Sequence, residues 1–531
     1  MSQPILIRKI RTLLRLLRKL VSYTFRNKAF YTFAKNHIPR WTLAIVRILP
    51  NQKVRNSEPF PLLIRIYQSY IFIIRHAFNQ QTSAARQQIA ENYIIPAICL
   101  LYDKNYVNFA QLTLLSIEEY FLSHKTDADF EAALARFSPA AIAAGLRHRQ
   151  AFPLKTTLRA SPLRLAFVGH FLAISGYEVV LGLGKHLQTF QPAMHAMRQF
   201  NVPNEETTAD AFTRNGFSFH LTGNDLYDVF TLRRQLEKTP ADIVLWALPP
   251  MHMFFFFAFG LAPRQVWFSN YLRSNLAFPH LDDVLTPGGA GTISHKSYNR
   301  RQWSILPQTT YINGITDTSP TPFQPLSESK NFTLFTPARL EKLKQPEFLE
   351  SVATILKNHP HAVFKWTGYY KDQEVIDFFA ARGLSGRHVY LPWLNHDGLM
   401  REIKDSDLLL ACFPLSLGTV EMIAAHLHVP VLSLYDEEFN LYWRDIFWEA
   451  QQGNPYLRDI CLDENGSSHI LIAKTPAEYV AAADALVSNK DLLETYRRIY
   501  SETYQYAYLN NPNDIGGMFA RFVENMSHQG E

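Results

Sequence analysis

The chain has 531 residues, which is too long for a single hydrophobic core and predicts two or three domains. Hydrophobic residues make up 47% and charged residues 19%, which excludes an intrinsically disordered chain. The three cysteines, Cys99, Cys412 and Cys461, lack metal-site spacing, so we expect a reducing compartment and no structural zinc. There is no secretory pattern and no apolar run long enough to span a bilayer, which predicts a cytoplasmic protein.

The net charge of +6 is unevenly distributed. Residues 1–57 hold thirteen of the 53 Lys and Arg residues and none of the 47 Asp and Glu residues, so the rest of the chain has 40 basic and 47 acidic residues. Near the start, basic side chains recur at helical spacing, at Arg8, Arg11, Arg15, Arg18 and Lys19. Such a helix can lie on an anionic membrane surface, or pack on its own domain with the basic face in solvent. No nucleic-acid module follows, so nucleic acid is not an expected partner.

Helical patterns dominate the next part of the chain, for example at Ala110–Ser123 and Asp129–Phe137. We therefore expect an all-helical domain over residues 1–155. From Leu163 onward, apolar strands alternate with helices, which is typical of a parallel sheet covered on both faces.

The predicted α/β part divides into two similar units. The first, residues 156–312, has strands near Leu163, at Phe217–Leu221, Ile243–Leu248 and Gln265–Ser269, and helices at Tyr177–Phe190, Asn224–Glu237 and Met251–Phe259. A Pro-, Ser- and Thr-rich linker is predicted at 313–330. The second unit, 331–531, has strands at Phe332–Phe335, Ala362–Trp366, His388–Leu391, Leu408–Cys412 and Val429–Leu434, and ends in helices. The predicted fold class is α/β, with two doubly wound Rossmann-type domains behind an all-α domain.

The helix after the strand at Leu408–Cys412 begins with residues suited to an anion. Ligands of open parallel sheets bind at the carboxyl ends of strands, where the next helix offers free N–H groups and a partial positive charge. Gly418 allows close backbone approach, Thr419 adds a hydroxyl donor, and Glu421 could accept hydrogen bonds from a ribose. The alternative is an ordinary helix cap formed by Ser416 or Thr419, with Glu421 favouring the helix dipole.

A basic segment follows the first strand of the same unit. Arg339, Lys342 and Lys344 fall at the carboxyl end of this strand, where cations could neutralise a diphosphate leaving group. The alternative is an exposed basic turn before a helix that begins at Pro346.

At these places the sequence resembles the GT-B glycosyltransferases, and most of all the bacterial cytoplasmic N-glycosyltransferases that modify adhesins, which are relatives of the O-GlcNAc transferases. Residues 342–350 are similar to the family's Lys-Leu-Asn-Pro segment. Residues 405–422 are similar to its Phe-Pro…Gly-Ile-Ile-Asp-Met stretch, with a glutamate for the aspartate and a loop two residues shorter. Residues 242–265 match a strand, a helix and Leu-Ala-Pro-x-Gln in the acceptor-side domain.

The resemblance implies a nucleotide-sugar site in the second α/β unit. The family lysine falls on Lys342 if the loop has one extra residue and on Lys344 if it has none, and we favour Lys342. Trp393 falls where the family packs the nucleobase, and could stack on uracil, although a partly buried core tryptophan is equally consistent with the pattern. The predicted nucleotide-sugar site comprises Arg339, Lys342, Trp393, Ser416, Gly418, Thr419, Val420 and Glu421.

The acceptor side departs from the family. Where relatives have two histidines, this chain has Tyr271 and Leu276, with only His280 nearby. His170, in the first glycine loop, is the candidate general base, because histidine has a suitable pKa; the alternative is a loop histidine that binds substrate or caps a helix. His252 is a further candidate for the cleft.

We therefore expect a glycosyltransferase that transfers a hexose from a nucleotide sugar to a protein side chain, without a metal cofactor. The resemblance implies that the donor is UDP-linked and that the transfer inverts the anomeric carbon. A membrane-associated enzyme acting on a lipid-linked or surface glycan is the alternative. Two further interpretations are an epimerase on the same architecture and a non-catalytic membrane-docked scaffold.

Overall fold

Two sheets and the helices around them make up the part of the chain that the structure, a computed structural model, describes. The described residues are 30–48, 61–79, 81–122, 127–154, 162–170, 187–188, 190–197, 205–221, 229–268, 281–289, 294–298, 301–307, 331–368, 371–413, 417, 419–434, 472–504 and 520–523. The predicted basic helix before residue 30 and the predicted linker at 313–330 lie outside these ranges.

Every described element before the first strand is a helix, as the sequence predicts. The helices are α1 (Phe30–Ile48), α2 (Pro61–Asn79), α3 (Ser83–Ile89) with a π-helical turn (Ala90–Ile94), α4 (Ile95–Asp103), α5 (Val107–Leu115), α6 (Glu118–Leu122), α7 (Asp127–Ala135) and α8 (Ser138–Ala151). We call them together the helical layer.

Helix α1 changes the interpretation of the basic segment 1–57. Phe30, Phe33, Ile38 and Trp41 recur at helical spacing and are almost fully buried in the core. Residues 30–48 of the basic segment are therefore anchored in the protein interior, and the predicted surface contact falls on parts of the segment outside the described residues.

The first sheet has eight strands in the order β3-β2-β1-β4-β5-β6-β8-β7. They are β1 (Leu163–His170), β2 (Phe190–Met197), β3 (Ser218–Leu221), β4 (Ile243–Ala247), β5 (Arg264–Phe268), β6 (Asp283–Gly289), β7 (Ser294–Tyr298) and β8 (Arg301–Pro307). All neighbours are parallel except β7 and β8, which are antiparallel. Around them lie α9 (Glu205–Arg214), α10 (Val229–Lys238) and α11 (Pro250–Phe259).

Four strands of the first sheet, β2, β6, β7 and β8, are absent from the sequence prediction, which places the end of a helix at Phe190 where β2 begins. The segments contain Pro192, Pro287 and several polar residues, so they show no clear period of two. Their strand conformation depends on pairing with neighbouring strands: β2 lies between β1 and β3, β6 pairs with β5 and β8, and β7 forms a hairpin with β8.

Side chains of the first sheet alternate between two cores. Ala166, Val168 and Trp246 point into a core shared with the helical layer, whereas Leu165 and Phe167 belong to a core on the opposite face. The second core also includes the C-terminal residues Ala520, Phe522 and Val523. The domain boundaries stay predictions, but the helical layer shares a core with the first sheet, and the described end of the chain packs on that sheet too.

Helix α11 lies between the sheet and the helical layer, and all ten of its residues are buried. Close contact with α8 is possible because α8 has Gly145 at the crossing. A Cβ atom at Gly145 would lie 2.6 Å from the carbonyl oxygen of Phe255 and 2.7 Å from the Cβ of Ala258. The helix predicted at Met251–Phe259 is thus present, and the glycine sets how closely the two helices approach.

The second sheet has six parallel strands in the order β11-β10-β9-β12-β13-β14. They are β9 (Phe332–Thr336), β10 (Ala362–Thr367), β11 (His388–Leu391), β12 (Leu408–Leu410), β13 (Val431–Leu434) and β14 (Ile472–Ala473). The helices are α12 (Leu340–Leu343), α13 (Pro346–Asn358), α14 (Gln373–Ala380), α15 (His396–Lys404), α16 (Thr419–His426), α17 (Pro476–Ser488) and α18 (Lys490–Tyr504). All five strands predicted for this unit are present, and among the strands that the structure describes there β14 is the additional one.

None of the described helices combines the length and apolar character needed to cross a membrane.

His148 of α8 is buried in an aromatic environment next to α11. Its ring lies 5.6 Å from that of Phe255 and 5.7 Å from that of Phe259, and neither ring nitrogen has a hydrogen-bond partner. Burial, with smaller contributions from Arg147 and Arg233, lowers the pKa of His148 to about 4. The imidazole is therefore neutral in the folded protein.

The folded protein should lose stability as the pH falls from about 6.5, the ordinary histidine pKa, towards 4, because the unfolded chain binds a proton that His148 cannot accept when folded. We expect this residue to contribute about 3 kcal/mol to the loss. Urea denaturation at several pH values would show a weaker pH dependence for His148→Phe than for wild type. The exposed His361, changed to Phe, is the control. An unchanged pH profile in His148→Phe would contradict the assignment.

Candidate functional site

The strand order of the second sheet reverses beside β9. The chain runs from β9 outward to β10 and β11, and then returns to β12 on the other side of β9. Such a reversal opens a crevice at the carboxyl ends of the two central strands, where open α/β sheets bind ligands. The buried Thr336 hydroxyl donates to the Leu410 carbonyl oxygen at 2.7 Å and ties the ends of these strands together.

A cavity of about 220 Å³ opens at this edge of the sheet. Four of the predicted site residues line it, namely Arg339, Lys342, Trp393 and Val420. The other lining residues are Pro337, Ala338, Thr367, Leu394, Leu399 and Leu417. The structure thus brings together predicted site residues that are up to 81 positions apart in the sequence, from the segment after β9, the loop after β11 and the start of α16.

Short helices and their caps position the residues that line the cavity. Arg339 directly precedes the short helix α12, which contains Lys342. Trp393 lies between β11 and α15, and α15 is capped by Asn395, whose Oδ1 accepts from the Gly398 N–H at 2.9 Å. Trp393 is 53% exposed, so it is not the core tryptophan that the sequence left as an alternative.

The start of α16 is described only in part. Ser416 and Gly418 lie outside the described residues, and of Thr419 only the backbone is described. Glu421 accepts a hydrogen bond from the Leu417 N–H, with 3.1 Å between N and Oε1. Its carboxylate thus braces the loop before its own helix, and its predicted contact with a ribose stays a prediction.

Tyr479 of α17 supports the strand that leads into this loop. Its hydroxyl donates to the Ala411 carbonyl oxygen at 3.0 Å. Burial, together with nearby Cys412 and Glu421, raises the pKa of Tyr479, so the phenol stays protonated as the donor. The position of the loop thus depends on a hydrogen bond between two residues that do not line the cavity, as well as on residues that do.

The two lysines that the resemblance offers for the diphosphate have different surroundings. Lys342 lines the cavity. The Lys344 ammonium lies 3.1 Å from Oδ2 of Asp372 and also contacts the Glu374 carboxylate. Because two carboxylates already balance the charge of Lys344, the geometry favours Lys342 for a ligand phosphate.

The structure describes less of the predicted acceptor site, which lies in the first unit. His170 is the last residue of β1, at the carboxyl end of a strand beside which the order of the first sheet also reverses. The placement of its side chain lies outside what the structure describes, as do Tyr271, Leu276 and His280. The assignment of His170 as general base stays a prediction.

Two sequence features of the first unit have structural roles. His252 is fully buried in α11, and its Nδ1 lies 2.6 Å from the Gln111 side-chain oxygen, so its prediction as a cleft residue is wrong. Gln265, the last residue of the Leu-Ala-Pro-x-Gln segment, accepts from the Trp246 indole N–H at 3.2 Å and donates to the Phe257 carbonyl oxygen at 3.0 Å. It therefore joins β4, β5 and α11.

Sequence reasoning missed one polar residue of the cavity, Thr367. It ends β10, the neighbour of β9, so the carboxyl-end rule that identified Arg339 could also have identified it. The apolar residues Leu394, Leu399 and Leu417 carried no such signal, because leucines at helix starts are common in any α/β core.

A larger cavity, about 510 Å³, lies in the first unit, at the amino ends of β1, β2 and β3. Its wall includes Arg164, but this guanidinium is paired with Asp242 through N–O distances of 2.6 and 3.0 Å. The smaller cavity is the stronger candidate because it lies at carboxyl ends of strands and has two cations in its wall. Among the described residues, no three metal-ligating side chains come together.

Comparison with known proteins supports the fold. No family model matches the sequence, and no curated protein is significantly similar to it. An O-GlcNAc transferase variant from Thermobaculum terrenum superposes with a TM-score of 0.56 at 15% identity, covering 97% of this chain and 98% of that one. An Anabaena protein, HepE, in complex with UDP and glucose superposes with a TM-score of 0.43 at 12% identity. The superposition covers 69% of this chain and 99% of that one. A protein from Listeria monocytogenes that is assigned as a UDP-N-acetylglucosamine 2-epimerase superposes with a TM-score of 0.41 at 16% identity. The superposition covers 70% of this chain and 97% of that one.

The first of these similarities extends over nearly the whole of both chains. The predicted fold class, a GT-B-like pair of doubly wound domains behind an all-α part, is therefore confirmed, and so is the resemblance to GT-B glycosyltransferases at the level of the fold. A shared fold does not determine the reaction, which must be argued from the site.

Removing the Glu421 carboxylate should destabilise the loop before α16. In Glu421→Ala the buried Leu417 N–H loses the acceptor seen in the structure, which we expect to lower the free energy of unfolding by about 1–2 kcal/mol. Glu421→Gln retains a side-chain oxygen and should stay close to wild type. Chemical denaturation of the three proteins would measure this, and equal stability of Glu421→Ala and wild type would show that the bond contributes nothing.

Proposed function

We propose that this protein is a glycosyltransferase that transfers a hexose from a UDP-linked donor to a protein side chain, with inversion at the anomeric carbon. The observation that carries the proposal is the cavity beside β9. Two cationic side chains, an exposed indole and the start of a helix face one crevice at the carboxyl ends of parallel strands. Each of these groups suits one part of a nucleoside diphosphate.

The cations suit the diphosphate. Arg339 and Lys342 both lie on the segment after β9, and Val420 marks the first turn of α16 on the other side of the crevice. When the glycosidic bond to UDP breaks, negative charge develops on the leaving phosphate, and preorganised donors stabilise that charge. A transfer of this kind needs no metal ion in the site, because the side-chain cations and the helix dipole supply the positive charge.

The indole of Trp393 suits a nucleobase. More than half of it is exposed, and it lines the cavity together with the apolar residues Leu394 and Leu399. Stacking of a base on an aromatic ring contributes about 1–3 kcal/mol. At about 220 Å³ the cavity is smaller than the roughly 300–1,000 Å³ of pockets that enclose drug-sized ligands, so we expect it to hold one end of the donor while the sugar extends outward.

The first sheet would present the acceptor. In an inverting transfer the acceptor attacks the anomeric carbon, UDP leaves from the opposite side, and a base takes the acceptor's proton when that acceptor is a hydroxyl. We assign this base to His170, at the carboxyl end of β1. The protein acceptor and the inversion rest on the resemblance to N-glycosyltransferases and O-GlcNAc transferases.

UDP should bind the purified wild-type protein, and Lys342→Met should weaken that binding. Loss of one charge-assisted hydrogen bond, about 1.5–3 kcal/mol, corresponds to a roughly 10- to 150-fold higher dissociation constant. Isothermal titration calorimetry in the presence of EDTA would measure both the affinity and its independence of metal ions.

The matched control is Lys357→Met, which removes an exposed lysine of α13 that does not line the cavity. It should bind UDP as wild type does. Failure of wild-type protein to bind UDP, or equal affinities of Lys342→Met and wild type, would refute the assignment of this cavity.

A lipid-linked or surface glycan is the second candidate acceptor, and the run of basic residues at the start of the sequence supports it. Arg8, Arg11 and Arg15 fall on one side of the predicted helix, with no acidic residue before position 58. A membrane-bound acceptor would be reached most easily by an enzyme attached to the same anionic surface.

If the enzyme binds membranes in this way, wild-type protein should float with phosphatidylserine vesicles, and a chain that starts at residue 30 should not. The truncation must stop there, because Phe30 and Phe33 are buried in the core. Vesicles of phosphatidylcholine alone are the control, and equal flotation of both chains would exclude this role for the basic residues.

A further inference from the structure

The segment that carries Arg339 and Lys342 is attached to the rest of the second unit by a third cation. Lys344 follows α12 directly and ends it. Its ammonium lies 3.1 Å from Oδ2 of Asp372 and contacts the carboxylate of Glu374. Both acidic residues are at the start of α14, so the contact joins the segment after β9 to the helix after β10.

Asp372 makes a separate contact with each of its oxygens. Oδ1 caps α14 by accepting from the N–H groups of Glu374 and Val375 at 2.9 and 3.2 Å. Oδ2 accepts from Lys344. The capping bonds fix the carboxylate relative to α14, so the ion pair fixes the lysine relative to the same helix.

The pair is also shielded from water. The side chains of Lys344 and Asp372 are 12% and 5% exposed. Removal of one partner leaves the other as a buried charge without compensation, so the segment would have to move to let water reach it. A surface ion pair would have little influence on the segment, whereas this one restricts it.

Lys344 is not itself placed to bind a phosphate. Its ammonium does not line the cavity, and the two carboxylates around it would repel an anion that approached. An effect of Lys344 on ligand binding must therefore pass through the residues on either side of α12.

We propose that Lys344, Asp372 and Glu374 form an ionic clamp that holds Arg339 and Lys342 in position for the diphosphate of the donor. The proposal rests on the proposed function. It makes Lys344 a positioning residue: the clamp sets where the two cations are held, and they make the contact with the ligand.

The test compares two probes, UDP and uridine, which share the base and ribose but differ in the diphosphate. Lys344→Met should raise the dissociation constant for UDP about tenfold, in the range of coupling within an ion-pair network, and change that for uridine by less than about twofold. Lys344→Arg, which keeps the charge, should recover most of the loss. Equal weakening of both probes, or no weakening of UDP, would overturn the clamp.

A double-mutant cycle separates positioning from a direct contact. If Lys344 acts through Lys342, then Lys344→Met should weaken UDP binding much less in a Lys342→Met background than in wild type. Asp372→Asn keeps an oxygen for the helix cap and removes the charge, so it should behave as Lys344→Met does. Additive losses would overturn the proposal.

Hydrogen exchange tests the clamp without a ligand, so that failure of the clamp and failure of the proposed function can be told apart. Amides of residues 338–345 should exchange faster in Lys344→Met and Asp372→Asn than in wild type, while those of α13 stay unchanged. Unaltered exchange at 338–345 would refute the clamp, whatever UDP does. Wild-type protein that fails to bind UDP would refute the proposed function, and the exchange experiment would still decide whether the clamp restrains the segment.

Discussion

The direction of the strands beside β9 determines where this protein can hold a ligand. All six strands of the second sheet are parallel, and the order reverses between β9 and β12. The connections from these strands lead away to opposite sides, so neither covers the ends of the central strands. Arg339, Lys342 and Val420 face one cavity because their segments leave the sheet at that edge. The same reversal beside β1 places His170 at the corresponding edge of the first sheet.

Contacts outside the cavity wall hold the site together. Tyr479 bonds to Ala411 directly after β12, Glu421 braces the loop before α16, and Lys344 attaches the segment after β9 to α14. In each case a polar group bonds to backbone or to an opposite charge, which leaves the cavity wall to residues that can meet a ligand. Such supporting contacts let a loop keep a defined geometry, which binding of a developing charge requires.

The sequence predicts the second unit better than the first, and the reason is physical. Strands such as β9 and β10 are short apolar runs between turn residues, so their pattern is local. Strand β2 contains Pro192 and His195, and its conformation comes from pairing with β1 and β3. In the site, the cations could be predicted from their place after a strand. The partner of Lys344 could not, because Asp372 lies 28 residues later and only the fold brings them together.

Helix α11 has a practical consequence for anyone preparing this protein. Its ten residues include five phenylalanines, and it is covered on one side by the sheet and on the other by the helical layer, with Gly145 at the closest approach. A shortened version that kept only the two α/β units would present this phenylalanine-rich surface to water, and an exposed patch of that kind promotes aggregation. The helices before β1 are thus part of the smallest version of the molecule that can be expected to stay in solution.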